Sequence, residues 1–513
     1  MGTSSPVIQN LYQSLQRSVE SRPDGIALFF EGHRYSYRQF QDSVQVSLFC
    51  LTERFGLKKG DVIVLALGNR PEFCFLFYAA MALGAIVVPL STKLKSDDSL
   101  TLLENVDAKV IFYDADSQPW LGAGEIDETQ RVSLSNWQFM IRNVDSQPDG
   151  FRHRPCLVQS DDIAAIIYTS GTTGSPKGAA ITHGNFLYAV NAYHQALALN
   201  ENDSTVLPIP ICHITGLSAL LCLFIHIGGT IHLHQRFNAD EILRTVEQHK
   251  ITFLHGSPTV FILITQEAER HEKSYNYESL KTIACGAGHL NVGIIDRLSA
   301  LFPHTEIRPI YGLTETTSPA SIFPMDVRQS PKIGSSGVPI PGMECQIRDD
   351  NNKPLSAGET GHLWLKGPGV IKQYWNNEKV NRQYFDNDWF YTGDIAALDK
   401  DNYLFIKDRS KDMINRGGEK IYCIEIENLI SNYPGVKDIA IVPKLSDIYG
   451  EEAVAFIIAD KKQPLVSDNI TQWLSERIAK FKIPSKVIFV SELPKNANGK
   501  TDKVALRKRA NQH

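Results

Sequence analysis

Asp61 to Ala66 reads DVIVLA, an unbroken apolar run of strand length. Pro71 then opens a longer apolar segment that runs to Leu83, Gly84 stops it, and AIVVPL follows. Two short buried runs on either side of a proline-started, glycine-stopped helix predict a β-α-β unit of a doubly wound parallel sheet. The pattern recurs. Asp240 to His249 is amphipathic through Ile242, Leu243 and Val246, the run ITFL reads as a strand, and Pro258 opens another helix. Thr282 to Ala284 reads as a strand, a Gly-Ala-Gly turn follows at 286 to 288, and Val292 to Leu301 has helical spacing.

The texture changes near residue 340, where short strands and tight turns take over. Ile395 to Leu398 and Tyr403 to Lys407 flank Asp-Lys-Asp-Asn, as a hairpin would. Farther on, helix Ile424 to Ser431, strands near Ile439 to Val442 and Ala453 to Ala459, and helix Asp468 to Lys480 make a compact α+β pattern. The predicted class is α/β: a large N-terminal part, 1 to 410, with doubly wound sheets and a small β-rich region. A small α+β part, 411 to 513, follows a boundary at Lys411 in the polar stretch KDRSKD.

Length agrees, because 513 residues exceed one ordinary core. A hydrophobic content of 43% and a charged content of 21% describe an ordinary globular chain, and a net charge of −5 indicates neither a nucleic-acid nor an anionic-membrane partner. Eight scattered cysteines form no CxxC pair, so neither a zinc site nor a disulfide framework is indicated, and reduced thiols of a cytoplasmic protein are expected. MGTSSPVIQN lacks the charged and apolar regions of a signal peptide, Pro6 disfavours myristoylation, and the final NQH is not a peroxisomal address. The longest apolar tract, Leu217 to Leu233, is interrupted by His226, Gly228, Gly229 and His232 and reads as buried core, not as an integral membrane segment.

Candidate chemistry begins at YTSGTTGSPKG, Tyr168 to Gly178, behind the apolar run Ile163 to Ile167. Five Ser/Thr hydroxyls, three glycines and Lys177 suit close backbone approach to an anion, with hydrogen bonds and one point charge for phosphate oxygens. It is not the common P-loop, since Lys177 lies between Pro176 and Gly178 instead of between Gly and Ser/Thr. A flexible Ser/Thr/Gly linker is the alternative, but such linkers are usually longer and lack a flanking buried strand.

The loop resembles the phosphate loop of the adenylate-forming superfamily, which includes acyl-CoA synthetases, aryl-CoA ligases and peptide-synthetase adenylation domains. Further motifs follow in the family's order: YGLTETT (Tyr311 to Thr317), YTGD (Tyr391 to Asp394), KDRSKDMINRGGEK (Lys407 to Lys420) and PKNANGK (Pro494 to Lys500). The resemblance spans Tyr35 to Lys500. It implies ATP phosphate contacts at Thr169, Ser170, Gly171, Thr172, Thr173, Gly174 and Lys177. It implies that Gly286, Ala287 and Gly288 flank adenine and acyl group, that Tyr311 and Gly312 sit at the adenine, and that Thr314 contacts the α-phosphate. Glu315 would hold Mg²⁺, a hard cation that usually takes one or two carboxylates plus phosphate oxygens; a helix-start carboxylate is the structural alternative. Asp394 would accept both ribose hydroxyls with Arg409 beside it, a pair that could otherwise be a surface salt bridge.

By the same resemblance Lys500 reaches the acyl carboxylate and the α-phosphate, where a fixed cation stabilises developing charge; by composition alone it is one lysine of a basic tail. Gly417 and Gly418 match the turn lining the pantetheine tunnel once the C-terminal domain has rotated about the hinge, Lys411; an ordinary strand-to-strand turn is the alternative. His213 and Gly216 in PICHITG, with Ser257, would line the acyl pocket, although a lone His is more often structural. The implied reaction activates a carboxylic acid with ATP as acyl-AMP, releases pyrophosphate, and passes the acyl group to CoA. A carrier-protein pantetheine as acceptor and a non-catalytic adenylate-binding protein are the alternatives. Ser204 to Ala239 contains no Asp or Glu to pair with a substrate ammonium, which disfavours amino acids, and the mostly small and apolar stretch Ile214 to Leu221 with Ser257 to Phe261 favours an aliphatic or aryl acid.

Overall fold

The computed structural model describes residues 8–94, 102–121, 131–143, 156–169, 176–270, 275–288, 290–460, 463, 465–495 and 501–512. Among them four sheets form. The first β-α-β unit appears as Val62–Ala66, Pro71–Leu83 and Ile86–Pro89, with the two strands parallel neighbours. Arg70 precedes the helix in extended conformation, and Gly84 ends it at φ 76°, a left-handed cap that a side chain would disfavour. Every helix residue except Glu72 is buried. Each large apolar side chain there contributes about 1.5–3 kcal/mol of burial, which explains a helix with no polar face.

These strands belong to a six-stranded sheet of spatial order Arg131–Ser133, Ala108–Tyr113, Val62–Ala66, Ile86–Pro89, Ile163–Thr169, Lys177–Thr182. The first five are parallel and the last is antiparallel. The closing strand was not apparent in the sequence, because KGAAIT carries little β-propensity of its own. Pairing with Ile163–Thr169 and full burial hold it in place. The phosphate-loop motif thus joins two antiparallel strands instead of leading from strand to helix.

A nine-stranded sheet carries the second doubly wound pattern. Ile26–Phe30, Thr230–Leu233, Ser204–Leu207, Phe253–Gly256, Thr282–Cys285 and Glu306–Tyr311 run parallel as successive neighbours. Helices Ala239–His249, Pro258–Arg270 and Val292–Leu301 lie where periodicity put them. The tract Leu217 to Leu233 is core: π-helical Thr215–Cys222, helix Leu223–Ile227, a left-handed turn at Gly228, and strand Thr230–Leu233. No helix among the described residues is long and apolar enough to cross a membrane.

A five-stranded sheet holds the β-rich region, with Trp389–Leu398 at its centre and Leu404–Arg409 returning antiparallel across the Asp-Lys-Asp-Asn turn. Beyond it, the long hairpin Val436–Ser446 and Gly450–Ala459 packs with helix Cys423–Ser431 around a separate core that includes Ile426, Ile430, Ile441, Ile457, Ile470 and Leu474. Boundaries differ from the sequence reading in places: the strand expected at Ile395 to Leu398 begins at Trp389. The helix expected to reach Lys480 is Ser467–Ser475. The amides of Arg477 and Ile478 both turn back to Leu474 O, which brings Ile478, Phe481 and Ile483 onto the same core as Leu474.

Candidate active site

Two of the motifs are joined through one short segment, residues 369 to 375. Trp375 N donates to Gly178 O (2.7 Å) and Ala180 N to Gln373 O (3.2 Å), tying the segment to the strand after the phosphate loop. Ile371 N donates to Glu315 O (2.9 Å), and Thr317 Oγ1 donates to Gly369 O (2.9 Å). The same stretch therefore staples the Lys177 strand to the Thr314–Thr316 turn. Its side chain Tyr374, 2% exposed, donates its hydroxyl to Glu315 Oε1 at 2.7 Å. Burial, and next the Glu315 charge, push the Tyr374 hydroxyl far above its ordinary pKa, so it acts as a donor.

The Thr314–Thr316 turn ends in two non-glycine residues with left-handed φ, Thr317 at 58° and Ser318 at 103°. Such conformations persist where surrounding bonds hold them. Ser218 Oγ donates to Thr317 O (3.0 Å), and the hydroxyls of Tyr193 and Ser318 are 2.8 Å apart. The returning chain crosses Gly312 so closely that a Cβ there would lie 1.3 Å from Ser318 O. Glycine is obligatory at that crossing for space, whatever its contact with a nucleotide.

Tyr311 ends the strand Glu306–Tyr311, and its hydroxyl is 2.5 Å from Asp394 Oδ2. Arg409 Nε lies 2.6 Å from Asp394 Oδ1, and the two residues face each other across the strand pair that carries them. Asp394 is 2% exposed and the Arg409 side chain 41%, so the pair is half-buried and not one between two exposed charges. The Asp394 charge raises Arg409 above its already high pKa. Each carboxylate oxygen has two lone pairs, so Asp394 retains acceptor capacity beyond these bonds.

The remaining expected residues fall into distinct settings. Thr169 stands opposite Lys177 in the hairpin, whereas Ser170, Gly171, Thr172, Thr173 and Gly174 lie outside the described residues. Gly286 N donates to Gly256 O (3.0 Å), Ala287 has φ 60°, and Gly288 faces Pro258. Ser257 caps helix Pro258–Arg270, its Oγ accepting from Val260 N at 3.4 Å. Gly216 abuts Pro210 O, and half-buried His213 starts the adjoining helical turn by accepting from Leu217 N. Gly417 and Gly418 form the exposed two-residue turn of the hairpin Ile414–Arg416 and Glu419–Ile421, with φ 60° and 96°. Two positive φ values are what a tight hairpin turn of this twist demands. Gly417 N donates to Tyr449 O (2.7 Å). Lys411 is exposed, and its carbonyl accepts from Arg507. Lys500 lies outside the described residues; on either side of it Lys495 and Thr501 pair.

Two residues of this neighbourhood escaped the sequence reading. Tyr374 meets Glu315 from 59 residues away, and Tyr384 lies under Lys177, whose Nζ is 3.8 Å from the ring centroid. Both are ordinary aromatics in sequence, and no local spacing marks them.

Glu315 is 9% exposed, and Tyr374 takes one of its oxygens. No group of three or more metal-ligating side chains occurs among the described residues. One buried carboxylate on the turn stapled to the Lys177 strand suits Mg²⁺ arriving on a nucleotide, which needs only one or two protein carboxylates.

Two family models match the chain: "AMP-binding enzyme" over residues 15–375 and "AMP-binding enzyme C-terminal domain" over residues 425–500. A 2-succinylbenzoate–CoA ligase of Bacillus velezensis is 32% identical over 95% of both chains. A long-chain-fatty-acid–CoA ligase of Mycobacterium tuberculosis is 30% identical over 88% of both. The solved o-succinylbenzoate–CoA synthetase of Bacillus subtilis with its acyl-adenylate superposes with a TM-score of 0.85, at 27% identity over 98% of both chains, and has also been solved with ATP and magnesium ion. The chain belongs to the AMP-binding enzymes, as an adenylate-forming ligase of the acyl-CoA synthetase type that uses ATP and CoA.

Proposed function

We propose that the chain joins an aliphatic or aryl carboxylic acid to CoA at the site built from the Lys177, Glu315 and Asp394 motifs. In the first half-reaction a carboxylate oxygen attacks the α-phosphorus, the bond to the β-phosphate oxygen breaks, and pyrophosphate leaves. In the second the CoA sulfur attacks the acyl carbonyl, AMP leaves, and the thiol proton passes to solvent. In-line phosphoryl chemistry needs positioning and charge neutralisation more than covalent help.

Each side chain then has a part. The Tyr311 ring packs on adenine, Asp394 and Arg409 hold the ribose diol, and Thr314 contacts the α-phosphate. Thr169 to Lys177 bind the β and γ phosphates. Glu315, oriented by Tyr374, is the ligand for Mg²⁺, which supplies charge neutralisation on the phosphates when bound. Lys500 meets the reacting carboxylate. Rotation about Lys411 then exchanges it for the Gly417–Gly418 turn, which lines the CoA path. His213, Gly216 and Ser257 border the acid, with Gly286 to Gly288 between it and adenine.

The observation that carries this reading is the staple at 369 to 375, which fastens the Lys177 strand and the Glu315 turn together. The stretch 204 to 239 supports an acid without an ammonium group, since it offers no carboxylate to pair with one. All eight cysteines are free and six are buried, which fits the reducing cytoplasm.

The test is pyrophosphate release across short, medium and long aliphatic, aryl and dicarboxylic acids, each with and without CoA. Turnover that needs CoA and favours one class is expected. Release that CoA does not stimulate would redirect the second step to a carrier-protein pantetheine, and no release with any acid would indicate a binding protein.

A further inference from the structure

Lys177 is a buried cation of unusual setting. It opens the strand after the phosphate loop, is 4% exposed, and makes no salt bridge among the described residues. Its ammonium lies over the face of Tyr384, 3.8 Å from the centroid, with the Tyr374 ring at 5.7 Å. A cation over an aromatic face is attracted by the ring quadrupole, most strongly where water is excluded.

The ring beneath it is held firmly. Tyr384 ends helix Glu378–Tyr384 and is 9% exposed. It stacks at 23° on Phe390 (6.3 Å), meets Tyr374 edge-on (5.8 Å) and neighbours Tyr391 (6.0 Å). Tyr374 spends its hydroxyl on Glu315. The two tyrosines thus serve the two charges separately, one by its hydroxyl and one by its face, and Lys177 and Glu315 form no ion pair with each other.

We infer that Tyr384 is a positioning residue for Lys177, holding its ammonium in the nucleotide-free enzyme where the β and γ phosphates of ATP engage it. The physical reason lies in what other partners would do. A carboxylate under Lys177 would hold it by a charge-assisted bond and repel the incoming polyphosphate. Water would leave the long side chain to be ordered at the moment of binding. An aromatic face orients the cation, keeps it charged in a dry site and leaves its N–H donors for phosphate oxygens, so the side chain is ordered before ATP arrives. It also keeps Lys177 from collapsing onto Glu315, which would withdraw both groups from the nucleotide. The inference rests on Lys177 being a phosphate ligand.

The experiment is ATP affinity by calorimetry, with KM and kcat in pyrophosphate release, for Tyr384→Phe, Tyr384→Leu, Lys177→Met and the double variant Lys177→Met/Tyr384→Leu. Tyr384→Phe is expected to match the parent within about twofold. Tyr384→Leu is expected to weaken ATP about tenfold while KM for the acid stays unchanged. In the Lys177→Met background, Tyr384→Leu is expected to add nothing. Equal losses for Phe and Leu, or losses that multiply in the double variant, would make Tyr384 a packing residue and overturn the inference. Should the Leu variant not fold, fluorinated phenylalanines placed at 384 serve instead. ATP affinity must then fall stepwise as fluorine drains the ring face, and a flat series is the contrary result. Calorimetry keeps the two readings apart: tight ATP binding without turnover on any acid would sink the ligase assignment and leave the Tyr384 test standing.

Discussion

The hydroxyl of Tyr311 lies 2.5 Å from one oxygen of Asp394, while Arg409 Nε lies 2.6 Å from the other. A strand end in the nine-stranded sheet and a strand pair in the β-rich sheet thereby meet on one carboxylate. Asp394→Asn keeps the shape but loses the charge and one acceptor. It is expected to raise KM for ATP by about ten- to a hundredfold, and 2′- or 3′-deoxy-ATP should bind to the variant with little further loss. Competition assays with the deoxynucleotides check this; an undiminished preference for the intact diol in the variant would remove Asp394 from the ribose.

Glu315 is held by Tyr374 at 2.7 Å in a buried setting. Glu315→Gln is expected to raise the magnesium concentration giving half-maximal pyrophosphate release by about tenfold or more, since a neutral amide is a poor ligand for a hard cation. Tyr374→Phe should shift the same titration less, because it removes orientation and not the ligand. A magnesium titration unchanged in Glu315→Gln would reassign the carboxylate to a structural role.

The two half-reactions should separate by mutation. Lys500→Ala is expected to abolish pyrophosphate release and to spare thioester formation from supplied acyl-AMP. A bulky residue at Gly418 should do the reverse. A Cβ at Gly418 meets nothing within 4 Å, so its cost in this conformation is the φ of 96°. That strain is about 1 kcal/mol, too little to unfold the hairpin. Assays of each step with isolated acyl-AMP decide the matter, and equal loss of both steps in either variant contradicts the assigned roles.

Gly312 and His183 make predictions about stability. Gly312→Ala places a Cβ against the Ser318 carbonyl, so the soluble folded yield should collapse, whereas Gly418→Ala folds. His183 is fully buried and accepts a hydrogen bond from Leu11 N on Nδ1 (3.3 Å). Burial depresses its pKa to about 4. The unfolded chain therefore binds its proton first, and stability is lost as pH falls from about 6.5 toward 4. At pH 5 this one group should cost about 2 kcal/mol relative to neutral pH. His183→Asn, whose amide oxygen can replace Nδ1 as acceptor, is expected to show a smaller drop in thermal midpoint between pH 7 and pH 5. Parallel midpoint curves for the two proteins would assign the acid sensitivity elsewhere.

Some of the chain was legible locally. Pro71–Leu83 and Val292–Leu301 appear where proline, glycine and apolar spacing placed them, because those signals act over one or two helical turns. Val62–Ala66 and Ile86–Pro89 were legible for a related reason, since strands buried on both faces must be apolar throughout. Less was legible where pairing outweighs propensity. The Gly- and Ala-containing strand Lys177–Thr182 forms because Ile163–Thr169 offers it an edge, and the helix after Ser467 stops at Ser475 because the core needs Ile478 elsewhere.

The motifs from Tyr168 to Lys500 establish by themselves the family and its ATP chemistry. Phosphate loops, nucleotide carboxylates and glycine turns need particular residue types at short fixed spacings, and such spacings survive in a one-dimensional string. That Tyr374 orients Glu315, that Tyr384 lies under Lys177, and that the Tyr311 hydroxyl reaches Asp394 emerged only from the folded chain. Those contacts join residues 59 to 207 positions apart, brought together by the order of strands in the sheets and the staple at 369 to 375. An aromatic has the same letter whether it fills a core or carries a cation, and its neighbours across the fold settle which it does.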